Sequence, residues 1–229
     1  MAFTRAPWHV AAMANTVLTV DAILRGKPAL IGPGVLSAMG KGPVAGPVRL
    51  TWLGLEGDGV ADPAHHGGHD KALHLYPQEH YSWWRRIFGA HPLLNAPGAF
   101  GENLATRGAA EGDLCLGDRI TLGSALVEVS HGRQPCFKLN HRFGRADVLA
   151  HAMESGRTGA YLRVIREGDV QSGDEMTLAE RPHPQWTLAR IFDLPIGGGF
   201  KRDPAAVAEL ARMPVLAEAW RGRAEKLAR

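Results

Sequence analysis

Cysteine is scarce. The 229 residues hold only Cys115 and Cys136. Two sulfurs cannot staple a disulfide scaffold and fit a reducing compartment, so a cytoplasmic location is the expectation. Long apolar runs are missing too: none reaches the ~18–20 residues that span a bilayer. Residues 6–20 are uncharged, but Pro7, His9 and Asn15 interrupt them, which is not a signal-peptide pattern. Nor is there a block of one charge. The net charge is +3, and its excess lies after residue 180, where nine basic residues are interspersed with five acids. That spacing reads as a solvated helix face, so neither nucleic acid nor a membrane is an expected partner. No phosphate-binding G-x-x-x-x-G-K-[ST] loop occurs, and no G-x-G-x-x-G follows a strand, which leaves nucleotide-binding architectures unsupported.

Turn-forming residues, in contrast, are plentiful. The 28 glycines and 15 prolines take roughly a fifth of the chain against a usual ~12%. With 45% hydrophobic and 21% charged residues the composition is globular, and the length allows one large domain or a main domain with a small appendage. Seven stretches read as short strands between turns: 16–24, 48–53, 72–76, 119–122, 125–129, 161–166 and 175–179. Gly123-Ser124 joins two of them as a hairpin signal. Helical spacing is visible over 78–88 and 146–154. The pattern is mainly β with flanking helices, a closed or nearly closed barrel over residues 1–182. After Arg181-Pro182-His183-Pro184 the texture changes, and three short helices are expected within 183–229, over 186–192, 205–212 and 215–228, with Pro204 and Pro214 at first helical positions. A unit this small cannot bury its own core well, so it packs on the barrel or on a second subunit as a homodimer.

Four clusters carry chemistry. Cys136 follows Pro135, which cannot donate to a β-ladder, so the sulfur is expected at a strand end. Arg133 and Lys138 bracket it, and nearby cations favour the thiolate, the nucleophilic and metal-ligating form; a small buried hydrophobe is the alternative. Cys115, between two leucines, reads as core. Gly57 to Lys71 gathers Asp58, Asp62, His65, His66, His69 and Lys71 among four glycines, either a ligand-cradling loop or a polar turn on the barrel rim. Gly67-Gly68 between His65 and His69 argues against a helix presenting both to zinc. Glu102-Asn103 reads as a strand entry or as ligand-facing polar groups. Arg157 and Arg163, near Gly156 and Gly159, offer guanidinium forks for an anion.

Together these residues resemble the MOSC domain family, and within it the branch of the 6-N-hydroxylaminopurine resistance protein. The resemblance rests on Gly54-Leu55-Glu56-Gly57-Asp58, Asp62, His66-Gly67-Gly68-His69-Asp70-Lys71-Ala72, and Tyr76-Pro77 with His80, Tyr81 and Trp84. It continues through Phe100-Gly101-Glu102-Asn103-Leu104, Gly117-Asp118, Arg133 to Leu139, and Gly159, Tyr161, Arg163 and Val164. Val60 stands where that branch often has Gln, and Ser37 where Thr is common. The resemblance implies a barrel cleft that holds the molybdenum cofactor (molybdopterin), with Cys136 as the sulfur ligand to the metal. It makes Arg133, Lys138, Lys71, Arg157 and Arg163 candidates for the pterin phosphate. Asp58, Asp62, His66, Gly67, Gly68, Glu102 and Asn103 become rim residues, with His66 a proton relay. The implied reaction reduces an N-hydroxylated purine or base, R–NHOH, to R–NH2 and water, a detoxification, and a separate reductase returns two electrons. Two other readings share these residues: a sulfur carrier with a persulfide on Cys136, and a non-catalytic ligand-binding module.

Overall fold

The computed structural model describes residues 17–229. Thr16 and most of the uncharged 6–20 stretch lie outside the described residues.

Seven strands close a barrel: β1 (Val17–Arg25), β2 (Leu73–Pro77), β3 (Leu104–Arg107), β4 (Arg119–Leu122), β5 (Ala125–Gly132), β6 (Ala160–Arg166) and β7 (Glu175–Glu180). Their order is β7-β4-β5-β6-β2-β3-β1, and β1 returns to β7 with Leu18 opposite Met176. Only β2 and β3 run parallel, Leu75 facing Leu104; the other barrel neighbours are antiparallel. Alternation fixes the inner face. Ile120 and Leu122 of β4 and Ala160, Leu162 and Val164 of β6 are buried at every second position, as a period of two requires. Gly123, at φ +54°, makes the two-residue connection that pairs Leu122 with Ala125.

Six of the seven expected strands lie in the barrel. The stretch expected over 48–53 does not: Val48–Thr51 pairs with Gly54–Leu55 and Gly168–Val170 in a separate three-stranded sheet. The seventh barrel strand is β3, where the sequence showed only a candidate strand entry. Its first three residues are all buried, so there was no alternation to read.

Among the described residues seven α-helices accompany these strands: α1 (Pro63–His66), α2 (Glu79–Phe88), α3 (Lys138–Phe143), α4 (Val148–Ser155), α5 (Leu188–Asp193), α6 (Pro204–Leu210) and α7 (Glu218–Leu227). An aromatic cluster of Tyr76, Tyr81, Trp84, Phe100 and Phe143 lies where α2 and α3 meet the barrel; Tyr76 and Phe100 stack at 4.4 Å. At α6, Asp203 caps the Ala206 amide at 3.0 Å with Pro204 in the first position. The last helix begins at Glu218, not near Val215. The backbone before it is committed elsewhere, since the Ala217 amide donates to the Ser130 carbonyl of β5 and the Val215 carbonyl accepts from Arg163.

Trp186, Ile191, Val207, Leu210 and Trp220 of the tail belong to the same buried cluster as Val127 and Leu162 of the barrel. The tail therefore packs on its own barrel.

The Gly156–Gly159 segment is pinned from below. Glu111 is buried and accepts from the Thr158 and Gly159 amides at 2.9 and 2.6 Å, while its other oxygen meets His80 Nε2 at 2.8 Å. Burial pushes the Glu111 carboxyl up, but His80 and the Gly159 amide outweigh it and hold the carboxyl below its ordinary value. Such a group adds stability above the ordinary carboxylate range and loses it as pH falls. Glu111→Gln is therefore expected to flatten the loss of stability below about pH 5, read by denaturant unfolding from pH 3 to 7. An acid limb as steep as that of the wild type contradicts this.

Candidate functional site

Beside the end of β1 lies an open cleft of about 120 Å³. Asp58 stands in its wall and is held from behind by the Gly26 amide, just past β1, which donates to Asp58 Oδ1 at 2.8 Å. Asp58 Oδ2 receives Asn103 Nδ2 at 2.7 Å and, in a very short contact, Lys41 Nζ. Asn103 in turn accepts from the His74 amide at 3.1 Å and donates to the Leu24 carbonyl at 3.2 Å. This network ties three barrel strands to the Gly57–Asp62 loop. Beyond it, Asp62 caps α1 by accepting from the His65 amide at 3.3 Å, with Pro63 at the first helical position. The Lys71 ammonium holds the His65 carbonyl at 2.6 Å.

The opposite part of the sequence enters through β5. After Gly132 the strand ends, the Arg133 amide still reaches the Gly159 carbonyl at 3.2 Å, and the guanidinium donates to the Phe100 carbonyl. Cys136 follows, half-buried, three residues beyond the last buried position of that run and just before α3. Cys136, Arg133, Lys138, Lys71, His66, Asp58, Asp62 and Asn103 all line the same cleft. Segments about 75 residues apart are thus brought to one recess. Four cations share it, Lys41 included, against two carboxylates, of which Asp58 is paired with Lys41.

That charge acts on the neighbouring groups. Burial, followed by the Lys138 and Arg133 charges, lowers the His66 pKa to about 4, so its imidazole is neutral at pH 7. Burial lowers the Lys41 and Lys71 ammonium groups, and Asp58 and Asp70 respectively work against that. Burial also raises the Tyr161 phenol, another wall residue.

Five expected site residues lie elsewhere. Glu102 is fully buried behind the wall, accepting from the Tyr81 hydroxyl at 2.6 Å and from the Gly98 and Phe100 amides at 2.7 and 3.0 Å. Arg163 is bound to Glu128 at 3.0 Å and to Asp70 at 2.8 Å, so it braces the turn that carries Lys71. The Arg157 guanidinium lies 5.3 Å above the Trp83 ring. Gly67 and Gly68 connect α1 to the His69–Lys71 turn, and Gly68 reaches φ +92°, a backbone state suited to glycine. Lys41 and His74 are wall residues that the sequence did not single out, and Tyr161, which the family pattern includes without a site role, is a third. Lys41 stands between Gly40 and Gly42, and its partner Asp58 is seventeen positions away, so no local pattern marked it.

Among the described residues no group of three His, Cys, Asp or Glu side chains is placed to hold a metal ion by itself. A metal at Cys136 would need most of its ligands from a cofactor. The residues fit such a group. A thiol is the soft ligand that a sulfur-bound molybdenum accepts, and Arg133, Lys138 and Lys71 suit the phosphate of a pterin.

Fold and cleft together define a barrel protein that gathers cations around one accessible cysteine. The sequence pattern of the MOSC domain matches residues 62–177. The protein YflK of Bacillus subtilis (strain 168) is 37% identical over 199 residues, covering 86% of this chain and 88% of YflK. A protein of Gibberella moniliformis (strain M3125 / FGSC 7600) named "Reductase" is 39% identical over 166 residues, which cover 72% of this chain but 29% of that longer protein. The crystal structure of YiiM from Geobacillus stearothermophilus superposes with a TM-score of 0.77 at 33% identity, over 93% of this chain and all of that one. That share exceeds the barrel, so the likeness extends into the helical tail. The chain belongs to the MOSC domain family.

Proposed function

We propose that the protein is a molybdenum-cofactor-dependent reductase that converts N-hydroxylated purines and related bases to their amines. The observation that carries this is Cys136 in the wall of a cleft shared by Arg133, Lys138, Lys71 and Lys41. MOSC membership supports a cofactor-binding domain of this type, and the fungal relative's name supports a reductase role. When bound, the cofactor supplies the two-electron chemistry that turns R–NHOH into R–NH2 and water. The chain does the rest. Cys136 presents its sulfur to the metal, and Arg133, Lys138 and Lys71 hold the phosphate. Asp58 and Asn103 keep Lys41 fixed at the wall. His66, neutral at pH 7, takes a proton at one ring nitrogen while releasing one from the other. A separate reductase returns the electrons, and a cytoplasmic site of action belongs to the same reading.

Protein purified from cells that make molybdopterin tests this, with dithionite-reduced methyl viologen as electron source. The expected product from 6-N-hydroxylaminopurine is adenine; molybdenum-loaded protein that forms none overturns the proposal. Lys138→Met is expected to weaken cofactor retention about tenfold, as loss of one charge-assisted contact implies, read from pterin fluorescence after gel filtration. Retention equal to the wild type would remove Lys138 from the phosphate site.

A further inference from the structure

The cleft has an apolar edge that its polar chemistry does not explain. Leu53 is 65% exposed and Val60 41% exposed, and both line the cleft. Other large apolar wall residues, Leu55 and Met39, are buried. Leu53 occupies an odd position for its type. Thr51 pairs with Gly54, so Trp52-Leu53 forms the tip of a two-residue hairpin, where Gly, Asn or Asp is the usual choice. Instead the tip carries Trp and Leu, with Trp52 46% exposed. Val60 comes from the separate loop that also carries Asp58 and Asp62. Two independent segments thus each hold an aliphatic side chain at the mouth in water. Leaving them there forfeits burial that a flat ligand ring would restore.

We propose that Leu53 and Val60 form the surface that receives the ring of the substrate, so that the cleft selects flat heteroaromatic N-hydroxylated compounds over small aliphatic hydroxylamines. This rests on the reductase reading for its chemistry but not for its contact. A planar ring presents two apolar faces and a polar edge. Leu53 and Val60 offer apolar contact to a ring face at the mouth, while Cys136, Arg133, Lys138 and Lys71 of the same wall are left to the cofactor.

Both side chains are exposed, so Leu53→Ser/Val60→Ser removes little that holds the fold. Two measurements on this variant decide the matter. The first is the ratio of kcat/KM for 6-N-hydroxylaminopurine to that for N-methylhydroxylamine, with methyl viologen as donor. It is expected to fall about tenfold, the size that lost apolar pocket contacts produce; an unchanged ratio overturns the proposal. The second is equilibrium dialysis with adenine, which needs no turnover. The variant is expected to bind adenine about tenfold more weakly. Equal binding by both proteins, or no binding by the wild type, overturns the proposal. Adenine binding that weakens in the variant while no N-hydroxylated compound is turned over supports the apolar surface and sinks the reductase reading alone.

Discussion

Cys136→Ala is expected to abolish reduction of 6-N-hydroxylaminopurine, with a loss on the order of 10³-fold or more, while leaving Tm within about 2 °C of the wild type. The size follows from position. Groups that merely orient a metal ligand typically cost 10–100-fold when removed, and the ligand itself counts for more. The small stability effect follows from burial, since Cys136 is half-buried in the loop between β5 and α3 and is not a member of either apolar cluster. Replacing such a side chain changes stability by roughly 0.5 kcal/mol or less. Steady-state turnover and thermal unfolding of one preparation check both halves. Retained turnover removes Cys136 from the mechanism, and a collapse of Tm reassigns it to the fold.

The opposite result is expected for Glu102→Ala. Glu102 is fully buried and accepts from three donors, the Tyr81 hydroxyl and the Gly98 and Phe100 amides. Deleting the carboxylate strands all three without water, since Ala99, Phe100 and Tyr81 around it are buried as well. Each abandoned group costs about 1–3 kcal/mol, and the total is expected near 3–5 kcal/mol, or roughly 6–20 °C in Tm for a chain this long. Glu102→Gln, which keeps the shape and one acceptor oxygen, is expected to lose about half as much. Should Glu102→Ala unfold at the wild-type temperature yet lose its cofactor, the carboxylate would belong to the ligand site after all.

These two residues mark what a sequence shows and what it hides. Both stand out as polar groups beside glycine or proline, and nothing local separates the one that faces the cleft from the one that secures the Gly98–Phe100 turn. Residue type announces the chemistry available, whereas the partner is set by the fold. Arg163 illustrates this: as a guanidinium near Gly159 it suits an anion, yet Glu128 and Asp70 already occupy it. Lys41 is the converse, a lone lysine between glycines that the barrel brings to Asp58. The barrel itself was easier to read, because frequent turns and alternation mark strands with one wet face. β3 escaped by being buried on both faces, and Val48–Thr51 carried the right pattern for a sheet that is not the barrel.

In the proposed function the sulfur of Cys136 holds a molybdenum cofactor in this cleft. Elemental analysis tests it most directly, on wild type and Cys136→Ala expressed side by side in cells that make molybdopterin. The expected result is about one molybdenum per wild-type chain and a strongly reduced content in the variant, with both proteins folded. A wild-type protein that carries no molybdenum under those conditions, or a variant that keeps all of it, would contradict the account.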